Sequence, residues 1–136
     1  MDRTLLIGLA ILYFAGCASA EDPKAPFPVP IYDAPRMVFF EPGSDQPRPQ
    51  SKEIIVLAFQ IANHYEAKVE VVTGYCDAAE IAAGACPALA TRRAEAVEAE
   101  LVKLGMRNDM IEIHTSTDPF DPADQRLNRR VVIEPN

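Results

Sequence analysis

Asp77 and Arg93 are the charged residues whose types and positions best suit binding chemistry. Asp77 follows an apolar stretch that runs to Gly74. At about 100° per residue, Arg93 lies about 60° from the centre of the apolar stripe of a predicted helix, whereas Arg92 points almost opposite. A carboxylate suits an ammonium group and a guanidinium suits a carboxylate. Position alone also allows Asp77 to cap a loop or helix and Arg93 to form a surface ion pair worth about 0–1 kcal/mol.

The three cysteines carry a second kind of chemistry. Cys17 ends an apolar segment and is either lipidated or removed with an export signal, so Cys76 and Cys86 remain as a pair in an oxidising compartment. We expect a disulfide between them that closes about ten residues and contributes on the order of 3 kcal/mol. The alternative is two free buried thiols, while the spacing excludes a redox Cys-x-x-Cys site.

The N-terminus is typical of an exported protein. Leu5 to Gly16 is apolar apart from Tyr13 and, at about a dozen residues, is too short to cross a bilayer as a helix, so we interpret it as a secretory signal. Phe14-Ala15-Gly16-Cys17 resembles the bacterial lipobox, which predicts a signal peptide over 1–16 and lipidation of Cys17. Ala18-Ser19-Ala20 fits ordinary cleavage before Glu21, with a signal peptide over 1–20.

Composition divides the remainder into a tether and one domain. Residues 17–35 are predicted to form an extended, proline-rich tether, because five prolines between positions 21 and 35 prevent a helix. The alternative is a disordered N-terminal tail. Residues 36–136 contain enough apolar residues for a single modest core. The net charge is −7 and no basic stripe could follow a phosphate backbone, so we predict no nucleic-acid partner.

Other combinations of reactive residues give weak signals. His64 is predicted at the end of a helix and His114 on the outward face of a strand, with no third ligand at metal-like spacing. Ser116 and Asp118 lie near His114, but no nucleophile-elbow motif accompanies them. We therefore predict no catalytic residues, no metal site and no cofactor, and the protein is not expected to be an enzyme.

Apolar periodicity predicts the element order β-α-β-α-β-β. The first strand is Met37–Phe40, and Ser51 is the expected N-cap of the first helix. Pro87 suits the first turn of the second helix, which is predicted to end at Gly105. This order favours an α+β domain, an α/β two-layer sandwich.

The elements have the following predicted apolar positions. The first helix has Ile54, Leu57, Ala58, Ile61, Ala62 and Tyr65, and the second has Ala90, Ala94, Val97, Leu101 and Leu104. In the second strand Val69 and Val71 alternate with Glu70, in the third Ile111 and Ile113 alternate with polar residues, and the last strand contains Val131 and Ile133.

Two segments of the sequence carry a family resemblance. They are GYCDAAEIAAGACPALATRRAEAVEAELVKLG (Gly74 to Gly105) and LNRRVVIEP (Leu127 to Pro135). Together they resemble the OmpA-like domain. The resemblance implies a β-α-β-α-β-β domain with a mixed sheet and two main helices, in agreement with the order above. It also implies non-covalent binding to peptidoglycan in the periplasm. With the lipid anchor, this predicts attachment to the outer membrane and further protein partners in the cell envelope.

The resemblance also implies which residues contact the ligand. In the family, the aspartate after the strand works with the arginine before the alanine of an Arg-Ala pair, and these are Asp77 and Arg93 here. Asp77 would take the ammonium of a diaminopimelate zwitterion and Arg93 its carboxylate. Further contacts are implied for Tyr75, Leu89, Asn128 and Arg129. The alternative for Asn128-Arg129-Arg130 is that hydrogen bonds tie the last strand to the preceding loop.

The loop after Asp77 departs from the family pattern. Cys76 stands where the family usually has Thr, Cys86 stands where it often has Asn, and the loop is longer by about one residue. The alternative function is therefore an OmpA-like module that has lost peptidoglycan binding and docks a protein of an envelope complex.

Overall fold

The computed structural model describes residues 34–66, 69–118, 121 and 123–136. The predicted signal peptide, the lipidation site Cys17 and nearly all of the tether 17–35 lie outside the described residues. Within the described ranges, no helix has both the length and the apolar character needed to span a membrane.

Four strands and three helices make up the described part of the domain. In chain order they are β1 (Arg36–Phe39), α1 (Lys52–His64), β2 (Glu70–Gly74), α2 (Ala78–Ala82), α3 (Ala88–Leu104), β3 (Ile111–Thr115) and β4 (Arg130–Pro135). Short 3-10 helices cover Pro49–Ser51, Asn108–Met110 and Gln125–Asn128. The sheet order is β1-β4-β2-β3, with β2 parallel to β3 and β4 antiparallel to both of its neighbours. The predicted α+β class and mixed sheet are confirmed.

The register of β4 determines which residues meet at the carboxyl end of β2. Gly74 pairs with Val131, and the Tyr75 amide donates to the Arg130 carbonyl at 2.9 Å. The residues that follow β2 therefore lie beside the residues that precede β4.

Helix α3 approaches the same end of the sheet very closely. A Cβ atom at Gly74 would lie 2.0 Å from the Ala90 carbonyl oxygen, so only glycine allows this contact. Arg93 follows Ala90 by three positions, on nearly the same face of the helix. The helix ends at Gly105 as predicted, with Gly105 in the left-handed conformation at φ 116°.

The core confirms most of the predicted helix stripes and corrects two positions. Ala90, Ala94, Val97 and Leu101 of α3 are buried, but Leu104 is 37% exposed at the helix end. In α1 the buried residues are Ile55, Ala58, Ile61 and Ala62. Leu57, predicted as a core residue, is 44% exposed, because the helix turns Ile55 toward the sheet in its place.

Two further expectations about local structure need correction. Ser51 is the N-cap residue of α1, as predicted. Its hydroxyl, however, accepts from the Phe39 amide at 3.0 Å and makes no capping hydrogen bond to the helix. On β2, the buried face carries Glu70 and Val72, so Glu70 lies among core residues. Burial raises the pKa of the Glu70 carboxyl, and the Arg36 guanidinium at 4.0 Å only partly opposes this shift.

Candidate functional site

The loop from Cys76 to Cys86 forms one side of the candidate site. These two cysteines are joined in a disulfide with their Cα atoms 6.5 Å apart, as expected from the sequence. The loop contains α2, a short helix that the sequence analysis did not predict. Asp77 is its N-cap: its Oδ1 accepts from the Glu80 amide at 2.8 Å, while Glu80 Oε2 accepts from the Asp77 amide at 2.9 Å. This reciprocal pair is a capping box.

Asp77 is paired with an arginine other than the one predicted. Its Oδ2 accepts from Arg129 Nη1 at 3.0 Å, and both side chains are largely buried. Arg129 is held there because the register of β4 places the residue before Arg130 beside the segment that follows Tyr75. Arg129 Nε is buried and has no hydrogen-bond partner within the described part of the chain. The side chain of Arg129 is 12% exposed, so the pair is partly accessible from solvent.

Arg93 lies next to this pair but is fully enclosed, with 0% of its surface exposed. Its Nη1 donates to Glu80 Oε2 at 2.9 Å and its Nη2 to Glu80 Oε1 at 2.6 Å. Nε donates to the Ser44 carbonyl at 2.8 Å, and Nη1 and Nη2 also donate to the carbonyls of Tyr75 (3.0 Å) and Glu41 (3.3 Å). A guanidinium has five N–H donors. All of them are used inside the protein.

Glu80 is the functional candidate that the sequence analysis missed. Burial would raise the pKa of its carboxyl, but the hydrogen bonds from Arg93 and from the Gly43 and Asp77 amides outweigh this effect and hold the pKa below its usual value. The carboxylate is therefore ionised at neutral pH. The sequence Asp77-Ala-Ala-Glu80 has the spacing of a capping box, and this signal could have predicted both α2 and the position of Glu80.

The other implied ligand contacts have mainly internal partners. Tyr75 is half-buried, and desolvation by burial raises the pKa of its phenol. Leu89 is buried against Cys76 and Ala90. Asn128 is fully buried and bonds to the backbone of Asp121, with its Oδ1 accepting at 2.7 Å and its Nδ2 donating at 2.7 Å. These bonds link the 3-10 helix before β4 to the loop that precedes it.

The remaining polar candidates lie at the surface. Arg92 has 52% of its side chain exposed and lies 3.4 Å from Asp45, as its predicted outward position requires. His64 and His114 are exposed. Among the residues described by the structure, no three histidine, cysteine or acidic side chains are grouped closely enough to hold a metal ion.

A cavity of about 300 Å³ lies away from these residues, at the opposite end of β2. Its lining includes Phe59, Glu70, Gly105 and Met106. Glu70, which lines the cavity, is the first residue of β2, whereas Asp77 lies beyond the last residue of β2. The cavity is therefore separate from the candidate site.

Comparison with known structures shows the same fold in several proteins. The peptidoglycan-associated lipoprotein from Burkholderia pseudomallei is similar with a TM-score of 0.66 and 23% identity, over 74% of this chain and 90% of that chain. The OmpA-like domain of FopA1 from Francisella tularensis gives a TM-score of 0.65 and 19% identity, covering 71% and 68% of the two chains. The C-terminal domain of Helicobacter pylori MotB gives 0.59 and 23%, covering 74% and 83%.

Comparison at the level of sequence identifies the family. No curated protein matches the chain. The model of the OmpA family matches residues 39–131, which is more than half of the chain. The chain therefore belongs to the OmpA family.

Proposed function

We propose that this domain binds peptidoglycan non-covalently, through the diaminopimelate of the stem peptide, and so holds the outer membrane or an envelope complex to the cell wall. Membership of the OmpA family supports this function, since OmpA-like domains are structural peptidoglycan-binding modules and not enzymes. One similar structure is itself a peptidoglycan-associated lipoprotein. A periplasmic location follows from the proposal.

The observation that carries the proposal is the Asp77–Arg129 pair at the carboxyl end of β2. A zwitterionic ligand needs a carboxylate for its ammonium and a guanidinium for its carboxylate. Asp77 supplies the first. Arg129 supplies the second, because 12% of its side chain is exposed whereas Arg93 is fully enclosed. Arg93 was expected to bind the ligand carboxylate. In this arrangement it positions the Glu80 loop instead, since its five donors are used.

Sedimentation with purified sacculi tests the proposal. Asp77→Ala and Arg129→Ala should each abolish sedimentation with diaminopimelate-containing sacculi, because losing one member of a desolvated pair costs about 2–5 kcal/mol. Arg92→Ala is the matched control, since it removes an arginine charge from the outward face and should change binding little. Circular dichroism must show that each variant is folded. A wild-type protein that stays in the supernatant would contradict the proposed function.

A second candidate function has its own structural support. The Glu80 carboxylate forms an ion pair with the Arg93 guanidinium. The arginine that was expected to bind the ligand carboxylate therefore already has a partner within the chain. This favours a module that docks a protein of an envelope complex in place of peptidoglycan. The same sedimentation assay separates the two functions, because the docking module would not bind sacculi.

A further inference from the structure

The guanidinium of Arg93 is held by several groups besides Glu80. Three backbone carbonyls, from Glu41, Ser44 and Tyr75, accept from it and fix its plane. The ring of Phe40 lies 5.3 Å from the guanidinium carbon and closes one side. The two N–H groups that remain point in parallel at Glu80, which is the geometry of a bidentate carboxylate complex.

The position of the Glu80 carboxylate is surrounded by four donors. Two come from Arg93, and two are the backbone amides of Gly43 and Asp77, each at 2.9 Å. The surrounding groups thus form a complete site for one carboxylate, built from three separate segments of the chain. Glu80 enters this site from α2, within the loop that the Cys76–Cys86 disulfide closes.

We propose that Glu80 is a built-in occupant of a carboxylate-binding site formed by Arg93 and the amides of Gly43 and Asp77. While Glu80 is in place, an external carboxylate cannot reach Arg93, because the guanidinium is fully buried and has no free donor. If the ligand is a stem peptide, as the proposed function has it, its charged groups can then contact only Asp77 and Arg129. Glu80 therefore determines which arginine binds the carboxylate of the ligand.

Chemical rescue tests the occupancy without peptidoglycan. Glu80→Ala empties the site and should lower the melting temperature, because Arg93 loses its buried counter-ion. Sodium formate, compared with sodium chloride at equal ionic strength and neutral pH, should raise the melting temperature of this variant along a saturating curve. Glu95→Ala, which removes an exposed glutamate, and the wild type should respond equally to both salts. An equal response of Glu80→Ala to both salts would overturn the proposal.

Glu80→Gln keeps the shape of the side chain and serves if the alanine variant does not fold. All four neighbours of the carboxylate are donors, so the amide of Gln must face a donor and is held less well. An external carboxylate can then displace the Gln side chain from the site. We expect Glu80→Gln to bind diaminopimelate-containing sacculi about tenfold more tightly than the wild type, a change of about 1.4 kcal/mol.

The two experiments separate the occupancy from the proposed function. Equal or weaker binding by Glu80→Gln, beside a wild type that does bind, would overturn the role of Glu80 and leave the proposed function standing. If neither protein binds sacculi, the proposed function fails, and the formate titration alone decides whether Glu80 is a replaceable occupant.

Discussion

Arg92 and Arg93 show how much one position on a helix changes the role of a residue. The side chain of Arg92 is half-exposed, while Arg93 is buried and joins the loop after β1, the end of β2 and the helix α2. The helical wheel predicted this difference in direction. Arg93→Ala would leave Glu80 as an unpaired buried charge, so it reports on folding as much as on binding.

The Glu80–Arg93 pair should make folding stability depend on pH in the acid range. The pKa of Glu80 is lowered in the folded state from its ordinary value of 4.5, so the unfolded state binds the proton more tightly. The stabilisation is thus present above pH 4.5 and is lost as the pH falls through the folded-state pKa. Urea unfolding at a series of pH values should show this loss for the wild type. Glu80→Gln, which cannot titrate, should lack it, and equal acid profiles for the two proteins would contradict the prediction.

At the scale of elements, the sequence predicted the helices and strands whose apolar pattern is long enough to read. The α3 stripe was correct through Leu101, and Gly105 ends the helix. Helix α2 was missed because five residues give no periodicity, although the capping-box spacing was present. Glu70 shows a different failure: an acidic residue between two valines predicts an exposed position, whereas the core holds it near Arg36.

The contacts of the site could not be predicted from local patterns. Asp77 and Arg129 are 52 residues apart in sequence, and their pairing depends on the register of β4 beside β2. Arg93 and Glu80 meet only because the loop between the two cysteines folds back over the first turns of α3. Resemblance to the family predicted Asp77 and Arg93 as residues of the candidate site. It could not predict their partners, because the loop departs from the family pattern.

The disulfide should control how firmly the Glu80 loop is held. Cys76 is fully buried and the bridge spans ten positions, so replacing both cysteines by serine should cost on the order of 3 kcal/mol in the chain-entropy model. Urea unfolding of the double variant measures this cost.

Intact-mass analysis of protein purified from the periplasm should show a chain lighter by two hydrogen atoms than its reduced form. Two thiols that react with an alkylating agent without reductant would contradict the bridge in the exported protein.

At the scale of the whole molecule, charge limits how the domain can bind a cell wall. The net charge of −7 does not depend on the predicted signal peptide, because Asp2 and Arg3 cancel. Peptidoglycan is itself rich in carboxylates, so the domain gains no general attraction to it. The proposed binding therefore requires a local site, for which the Asp77–Arg129 pair is our candidate. A covalent lipid at Cys17 would complement such a site by keeping the domain close to the envelope.

The predicted lipid anchor at Cys17 lies outside the residues described by the structure. Acylation of Cys17 with more than one chain would hold the protein at the membrane stably, whereas one chain binds only marginally. Cys17→Ser should therefore move the protein from the membrane fraction to the soluble periplasmic fraction without blocking export. Ala20→Leu is the matched control, because it removes the small residue before Glu21 and should disturb only ordinary cleavage. If Cys17→Ser leaves the fractionation unchanged and the mature protein begins at Glu21, the chain is released after Ala20 and carries no lipid at Cys17.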